Sequence, residues 1–308
     1  MMKSIYISSC VPDGGVWRCG FDGETLTKRD FSPVGRVMYT AREGDTIYAV
    51  SLEPDSLDSF VVQAKLTDGR PGTFGGRIRT GRESCFIDVR DGDFYTADYS
   101  SAGVTKNGAR TVTHTGCGSD PSRQEAPHPH QALLSPDGRY VLDCDLGLDR
   151  VFVYDRELTL VSQADAPKGQ GIRHLVFAPD GKQVYAVNEL GCSVTEFRWS
   201  DGELTALRTT PFPCAGKSYA GAVRLSENGD LLFISLRGDD TIAVYAREEK
   251  GLRLLRSFPC GGCWPRDFAV CGDRLLVANE RSGNVCTMDF YGEIKSEISV
   301  PAPLCVMV

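Results

Sequence analysis

Two-residue turns recur along this chain at a nearly constant spacing. Each pairs a Gly with an Asp or Asn, stands between two short runs rich in apolar and β-branched residues, and lies 43 to 48 residues from the next. Such dipeptides between alternating apolar runs are the strongest local signal for a β-hairpin. The turns are Gly44-Asp45, Asp91-Gly92, Asp137-Gly138, Asp180-Gly181, Asn228-Gly229 and Gly272-Asp273.

A third β-rich run follows each of the clearer hairpins. DRVFVYD and DTIAVYA are examples, and amphipathic helical patterns are nearly absent from the chain. A period of about 45 residues with several short strands in each unit is typical of a β-propeller blade. The sequence therefore predicts an all-β protein built from blades.

The two ends of the chain supply the blade that the turns leave out. Six turns account for six blades, the C-terminal run PAPLCVMV has no hairpin partner downstream, and the N-terminal runs SIYISSC and GVWRCGF lack an inner strand before them. Pairing the ends would close the ring and remove the exposed sheet edges. We therefore predict one seven-bladed β-propeller domain over residues 1–308, with the N- and C-terminal strands in one blade.

Composition narrows the range of partners. The chain of 308 residues has a formal net charge of −7 and no run of Lys or Arg, which argues against nucleic acid as a partner. No apolar run approaches the roughly 18 residues needed to span a bilayer, and the N-terminus lacks the pattern of a signal peptide. We expect a soluble, cytoplasmic protein that does not bind membranes. The sequence leaves the oligomeric state open.

The twelve cysteines are scattered, and several stand inside strand-like runs, where Cys acts as a small apolar residue. The one close pair, Cys260 and Cys263, lacks the second pair that a zinc ribbon needs. We interpret this pair as part of a glycine-rich loop. Together the histidines and cysteines show no metal-ligand set with a recognisable spacing, so the sequence predicts no metal site and no cofactor.

Three of the four histidines lie in one polar segment, HTGCGSDPSRQEAPHPH, which runs from His114 to His130. The segment is rich in Gly and Pro and too long for an ordinary turn, and long ordered loops in compact domains are often functional. The alternative is a surface loop whose histidines bond only to the backbone. We take the segment as a candidate part of a functional site.

Propeller geometry would bring the unusual residues to one face. The first strand of a blade runs down and the second runs back, so the start of the first and the end of the second lie on the same side. The starts carry His128, His130, Arg173, His174 and Arg266. The ends carry Asp145, Asn188, Glu189, Arg237, Asn279 and Glu280.

Some of these residues also have structural interpretations. Asp145 could cap the turn that follows it. His174 alternates with Arg173, so it could face into the sheet as a core histidine. Arg173 and Glu189 stand at the start and the end of one hairpin, and we expect them to be neighbours.

Several motifs together point to a known family. HTGCGSDPSRQEAPHPHQALLSPDGRYVLDCDLGLDRVFVYD, GQGIRHLVFAPDGKQVYAVNEL, LRGDDTIAVY and WPRDFAV occur in this order. The chain resembles the lactonase-type seven-bladed propellers, which include the bacterial propeller form of 6-phosphogluconolactonase. The resemblance is dense from about residue 110 to 290 and thin over the first two blades.

The resemblance implies a site without metal or cofactor that uses a His, a Glu and two Arg. On this sequence the catalytic positions fall on His130, Arg173, Glu189 and Arg237, with His128 as the alternative histidine. We expect substrate contacts from His128, Asp145, Arg266 and Arg123, of which Arg266 is added from the strand geometry.

The implied activity is hydrolysis of an anionic sugar lactone, 6-phosphogluconolactone or a relative, as in the pentose phosphate pathway. A His near its ordinary pKa suits general-base work, and arginines suit both an oxyanion and a phosphate or carboxylate. Two other interpretations stay open, namely a lactonising cyclase of the carboxymuconate type and a non-catalytic propeller that binds partners on its rim. The recurrent Gly-His and Trp-Asp pairs of WD-repeat scaffolds are absent.

Three departures from the family pattern bear on the substrate. Phe86 stands where the family usually has a His, and Leu236 stands where it has an Asn. The run from Gly221 to Arg224 lacks the usual carboxylate. These positions leave the exact substrate open.

Overall fold

Seven small antiparallel sheets follow one another around a central channel in the computed structural model, which describes residues 2–308. Blade 1 contains β1 (Lys3–Ser9), β2 (Gly15–Phe21) and β3 (Leu26–Pro33); blade 2 contains β4 (Arg36–Glu43), β5 (Thr46–Leu52), β6 (Asp58–Thr67), β7 (Arg70–Pro71) and β8 (Gly75–Arg82); blade 3 contains β9 (Ser84–Arg90), β10 (Asp93–Asp98), β11 (Gly103–Lys106) and β12 (Arg110–Thr113).

The remaining four blades continue the same pattern. Blade 4 contains β13 (Pro129–Leu134), β14 (Tyr140–Asp145), β15 (Arg150–Asp155) and β16 (Leu160–Asp165); blade 5 contains β17 (Ile172–Phe177), β18 (Gln183–Asn188), β19 (Ser193–Ser200) and β20 (Glu203–Pro211); blade 6 contains β21 (Tyr219–Leu225), β22 (Leu231–Arg237), β23 (Thr241–Glu248) and β24 (Gly251–Pro259); blade 7 contains β25 (Pro265–Cys271), β26 (Arg274–Asn279), β27 (Asn284–Asp289) and β28 (Ile294–Ser299), and β29 (Pro303–Met307) returns to blade 1.

The recurring turns connect the first two strands of blades 2 to 7, as the sequence predicts. In blade 3, Asp91 and Gly92 have φ angles of 55° and 78°. Both values lie in the left-handed region that a two-residue hairpin of type I′ requires, which Gly adopts without strain and Asp tolerates. The turn residues therefore set the hairpin register of blade 3.

The ring closes through the two ends of the chain. β29 pairs antiparallel with β1, with Met307 opposite Tyr6 and Val306 opposite Ile7. β29 is thus the inner strand of blade 1, and it also contacts β4 and β25, the inner strands of the two neighbouring blades. The prediction of a seven-bladed propeller closed by both termini is confirmed.

The core lies between adjacent blades. Leu142 and Cys144 of β14 belong to one buried cluster with Ile172 and Leu175 of β17, which joins blade 4 to blade 5.

All twelve cysteines are free thiols. Within residues 2–308, no helix is long and apolar enough to cross a membrane.

Each inner strand has an irregularity close to its start. In five blades a single residue is inserted opposite the ladder of the second strand, so that its two neighbours pair with consecutive residues there. These bulged residues are Met38, Cys85, His130, Arg173 and Arg266. A β-bulge disrupts the ladder locally and re-aims a side chain, and bulges are frequent beside active sites.

Candidate active site

A cavity of about 180 Å³ opens at the channel mouth where the inner strands begin. Blades 2 to 7 all contribute to it, and most of its lining is polar or charged. The lining residues are Met38, Glu83, Cys85, Tyr99, Arg123, His130, Glu189, Arg237 and Arg266. Four of the five bulged residues are among them, so the bulges are what turn these side chains toward the channel.

Glu189 follows β18 and is surrounded by three arginines. Nη2 of Arg123 donates a hydrogen bond to Oε1 at 2.6 Å. Nη2 of Arg237 lies 2.6 Å from Oε2, and Nε of Arg173 lies 3.1 Å from the same oxygen without the alignment of a hydrogen bond. Arg173 and Glu189 are neighbours, as predicted, but Arg173 lies behind Glu189 and is not part of the cavity wall.

The charges in this group depend on one another. Burial alone would raise the pKa of Glu189, but Arg237 and Arg173 hold it well below its ordinary value, so the carboxylate is ionised at neutral pH. Burial and the nearby Arg237 and Arg266 lower the pKa of Arg173 to about 9. Removing the Glu189 charge would therefore leave buried guanidinium groups without their counterion.

His130 is the bulged residue of β13 and lines the cavity. Its ring packs at 5.2 Å from the ring of His174 and edge-on at 5.9 Å from Tyr99. Nδ1 is buried without a hydrogen-bond partner. Burial and the charge of Arg173 lower the pKa of His130 well below its ordinary 6.5, so the imidazole is neutral at pH 7 and can accept a proton.

The long polar segment places Arg123 at the cavity through its neighbour Gln124. Gln124 is fully buried, and its Nε2 donates to the carbonyl of Leu146 at 2.9 Å and to Oδ1 of Asp149 at 2.8 Å. The next residue back, Arg123, points the other way and reaches Glu189. Gln124 thus anchors the segment, and Arg123 lines the cavity.

His128 and Asp145 lie outside the cavity, unlike the substrate contacts that the sequence predicts for them. His128 stacks on Tyr99 with ring centroids 4.3 Å apart, and Tyr99 faces the cavity instead. Asp145 is fully buried, and its Oδ1 accepts the backbone N–H groups of His128 and Leu148. The bond from Leu148 is the turn cap that the sequence offers as the alternative role of Asp145. The other contacts, from His128 and His114, come from the polar segment.

His174 does not face into its own sheet. Its ring contacts Tyr39, Phe86 and His130, which belong to the inner strands of three other blades. The alternation argument fails here because Arg173 is the bulged residue and breaks the two-residue period. His174 is nonetheless a buried histidine, 2% exposed, and Nη1 of Arg173 lies 3.3 Å from its ring nitrogens, in keeping with the core interpretation.

Four lining residues were not predicted from the sequence. Met38 and Cys85 hold the same bulge position as His130, and Glu83 and Tyr99 stand at the start and beyond the end of the blade 3 hairpin. The signal that would have found Met38 and Cys85 is their place near the start of an inner strand. In blades 2 and 3 the family motifs are thin, so this signal was not available from the resemblance.

The cavity combines a proton acceptor with several positive charges. A neutral imidazole lies in one small cavity with three arginines, and a fourth arginine stands behind Glu189. Buried donors normally have partners, yet Nε of Arg173 and Nε of Arg237 have none. The site can take a proton at His130 and stabilise negative charge on a bound oxygen.

Two curated bacterial proteins are similar to this chain over most of its length. Along its length it is 33% identical over 243 residues to an uncharacterised Lactococcus lactis protein, YwcC, with 71% of each chain covered. It is 29% identical over 256 residues to the 6-phosphogluconolactonase of Bacillus subtilis, with 73% of each covered.

Solved structures share the whole fold. A Lactobacillus plantarum protein is 25% identical with a TM-score of 0.90, and 99% of each chain is covered. The periplasmic gluconolactonase PpgL of Pseudomonas aeruginosa is 24% identical with a TM-score of 0.89 and covers 100% of this chain and 99% of its own. The family model described as lactonase, 7-bladed beta-propeller, matches residues 10–308, and the chain belongs to this family.

Proposed function

We propose that this protein hydrolyses an anionic sugar lactone, 6-phosphogluconolactone or a close relative, without a metal at the reacting centre. The observation that carries the proposal is the neutral, buried His130 facing a cavity walled by Arg123, Arg237 and Arg266. The similarity to the Bacillus subtilis 6-phosphogluconolactonase supports the choice of substrate. Cytoplasmic location and a place in the pentose phosphate pathway remain predictions.

In the proposed reaction a water molecule attacks the lactone carbonyl carbon while His130 accepts one of its protons. The carbonyl π electrons move onto the oxygen, and the resulting oxyanion is stabilised by arginine N–H groups. When the tetrahedral intermediate collapses, the ring C–O bond breaks. The leaving alkoxide takes the proton from His130, which returns to its neutral form, and the product is an open-chain hydroxy acid.

Arginine supplies both parts of the anion recognition. Its planar fork matches carboxylate and phosphate oxygens, and it stays charged at neutral pH. Nη2 of Arg237 is already engaged by Glu189 and by the carbonyl of Ala220, whereas Arg266 has one ion-pair contact, 3.4 Å from Glu280. Arg266 is therefore more available to a substrate oxygen than Arg237.

The size of the cavity favours a small ring compound. The cavity volume of about 180 Å³ lies below the roughly 300–1,000 Å³ that is typical of sites for drug-sized ligands. A lactone ring would occupy such a space while a charged substituent extends toward the mouth. Arg123, at 32% side-chain exposure, stands where that substituent would pass.

The test is hydrolysis of 6-phosphogluconolactone by the purified full-length protein, followed by acid release at constant pH and corrected for the spontaneous reaction. We expect clear acceleration, and His130→Asn should reduce it by about 10²- to 10⁴-fold, the range of general-base contributions. His128→Asn, a histidine outside the cavity, is the matched control and should change the rate only slightly.

The same assay separates the alternatives. Equal hydrolysis by wild type and His130→Asn would refute the assignment of the base. Activity on a carboxymuconate but not on the lactone would favour the cyclase. Inactivity on both, with binding of a protein partner at the rim, would favour a non-catalytic propeller.

A further inference from the structure

A second cluster of buried polar groups lies between blades 3 and 4, apart from the cavity. It consists of His114, which follows β12, and Asp143 and Asp145 of β14. One ligand atom from each lies within 4.8 Å of the others. Nδ1 of His114 is 2.6 Å from Oδ2 of Asp145 and 3.7 Å from Oδ2 of Asp143. None of the three lines the cavity.

Asp143 is the unusual member of the cluster. Its side chain is fully buried, and neither carboxylate oxygen has a hydrogen-bond partner. An ionised carboxylate in this position is costly unless a positive charge compensates it. Within residues 2–308 no Lys or Arg forms an ion pair with it, and the carboxylates of Asp145 and Asp98 add to the negative charge around it.

Asp98 does not relieve this excess of negative charge. It is itself fully buried and accepts hydrogen bonds from the hydroxyl groups of Ser84, Thr96 and Thr105. Its oxygens are therefore satisfied without sharing a donor with Asp143. The free oxygens of Asp143 mark where a compensating cation would be bound.

We propose that a divalent transition-metal cation, Zn²⁺ or Mn²⁺, binds between Nδ1 of His114 and the carboxylates of Asp143 and Asp145. One imidazole and two carboxylates are ligands that these ions accept, and two carboxylates balance the charge of a divalent ion. The role we assign to the ion is structural, because the site lies outside the cavity. The inference is independent of the proposed lactonase reaction.

The separations suit such an ion after small side-chain shifts. For Zn²⁺, metal–ligand bonds of about 2.0–2.2 Å in a tetrahedral arrangement place neighbouring ligand atoms roughly 3.3–3.6 Å apart. The distances of 2.6 Å and 3.7 Å from His114 to the two carboxylates lie on either side of that range. Asp145 would move away slightly and Asp143 would approach.

The outer partner of the histidine is also in place. Nε2 of His114 lies 2.7 Å from the hydroxyl of Tyr154. Metal-bound histidines normally donate their other N–H to an acceptor, which fixes the tautomer. With Nδ1 bound to the ion, the imidazole proton would reside on Nε2, where the Tyr154 oxygen would accept it.

The ion would fasten the segment that carries Arg123. His114 begins this segment, and Asp145 holds its other end through the backbone N–H of His128 at 2.8 Å. A bond from one ion to both His114 and Asp145 would join the two ends of the loop. Metal removal should therefore loosen the segment before it affects the blades.

The experiment uses the full-length protein, stripped with a chelator and then titrated separately with Mn²⁺ and Zn²⁺. We expect one ion bound per chain by elemental analysis after gel filtration and a rise in Tm of several degrees. Asp143→Asn, which keeps the side-chain shape, should lose both effects. Asp143→Val offers an apolar replacement of similar size that needs neither ion nor hydrogen bond, so that loss of binding can be measured on a folded protein.

Zinc bound by thiols is excluded by a matched control. Cys260→Ser/Cys263→Ser should retain the ion, and Mn²⁺ is a poor partner for thiolates. Unchanged metal binding by Asp143→Asn would overturn the proposal. So would a wild type that binds neither ion, whatever the Tm of Asp143→Asn. If the wild-type protein bound the ion but did not hydrolyse the lactone, the result would contradict the proposed function and leave the metal site supported.

Discussion

Arg123 donates a 2.6 Å hydrogen bond to Glu189 across 66 positions of sequence, from a loop of blade 4 to the end of a strand in blade 5. The contact connects the longest polar segment of the chain to the residue that three arginines surround. It also lies at the cavity wall, where Arg123 is 32% exposed and Glu189 is 4% exposed. The loop therefore completes the site.

Arg123→Met tests this separation of roles. We expect KM for an anionic lactone to rise by about tenfold, the equivalent of roughly 1.4 kcal/mol, because a charge-assisted partner is lost and Glu189 is left with an unpaired oxygen. The unfolding free energy should change little, since the pair is partly exposed. Arg139→Met, which removes an exposed arginine paired with Asp137 and Asp201, is the control. A similar KM change in both variants would contradict the assignment.

The pH dependence of kcat/KM should report His130. Burial and Arg173 lower its pKa below 6.5, so the reactive neutral form persists below that pH and is lost only as pH falls through the lowered pKa. We expect a flat profile from pH 6.5 to 8 and an acid limb below 6.5. Arg173→Gln removes the charge that lowers this pKa, so the acid limb should move to higher pH. An unchanged limb would show that another group titrates.

Glu189→Gln separates charge balance from proton transfer. Glu189 contacts three arginines, and no hydrogen bond joins it to His130, so we expect its main effect to be electrostatic. The variant should lose about 3–5 kcal/mol of stability, the cost of leaving buried charge uncompensated. Added phosphate should restore Tm more in the variant than in the wild type, because an anion replaces the missing charge. A large fall in kcat with unchanged anion affinity would instead assign Glu189 to the proton transfer.

Ring closure predicts a large effect from a short truncation. Deleting residues 301–308 removes β29 and exposes the edge of β1 and the inner faces of two blades. We expect loss of cooperative unfolding or a strong fall in Tm, measured by circular dichroism. Deleting Val308 alone, which is 46% exposed, is the control and should have almost no effect. A truncated chain that melts like the full-length protein would contradict closure as a source of stability.

The blades could be predicted because turn chemistry is local. Asp91 and Gly92 need left-handed φ angles, and few residues other than Gly, Asn and Asp provide them. The fifth strand of blade 2 could not be predicted, because β7 has only two residues and β8 lies in a Gly- and Arg-rich run without alternation. Strand signals depend on a period of two, and neither segment is long or regular enough to show it.

Part of the site could be predicted because the two ends of a hairpin lie on the same face of a blade. Glu189 and Arg237 stand where second strands end, Arg266 stands where a first strand begins, and all three line the cavity. The choice between His128 and His130, and the direction of His174, depended on bulges that the alternation rule ignores. The cluster of His114 and Asp143 was missed because the two residues are 29 positions apart and meet only when blades 3 and 4 pack.

The bulged residues change in polarity and charge from one side of the ring to the other. Each bulged residue is left out of the one-to-one pairing with the second strand, so its side chain can change without altering the ladder. Going around the ring, these positions run from Met38 and Cys85 in blades 2 and 3, through His130, to Arg173 and Arg266 in blades 5 and 7. The cavity therefore has Met38, Cys85 and the carboxylate of Glu83 on the side of blades 2 and 3, and Arg237 and Arg266 on the side of blades 6 and 7, with the imidazole of His130 between them. A bound molecule would be orientated by this asymmetry, with its anionic end toward Arg237 and Arg266 and away from Glu83.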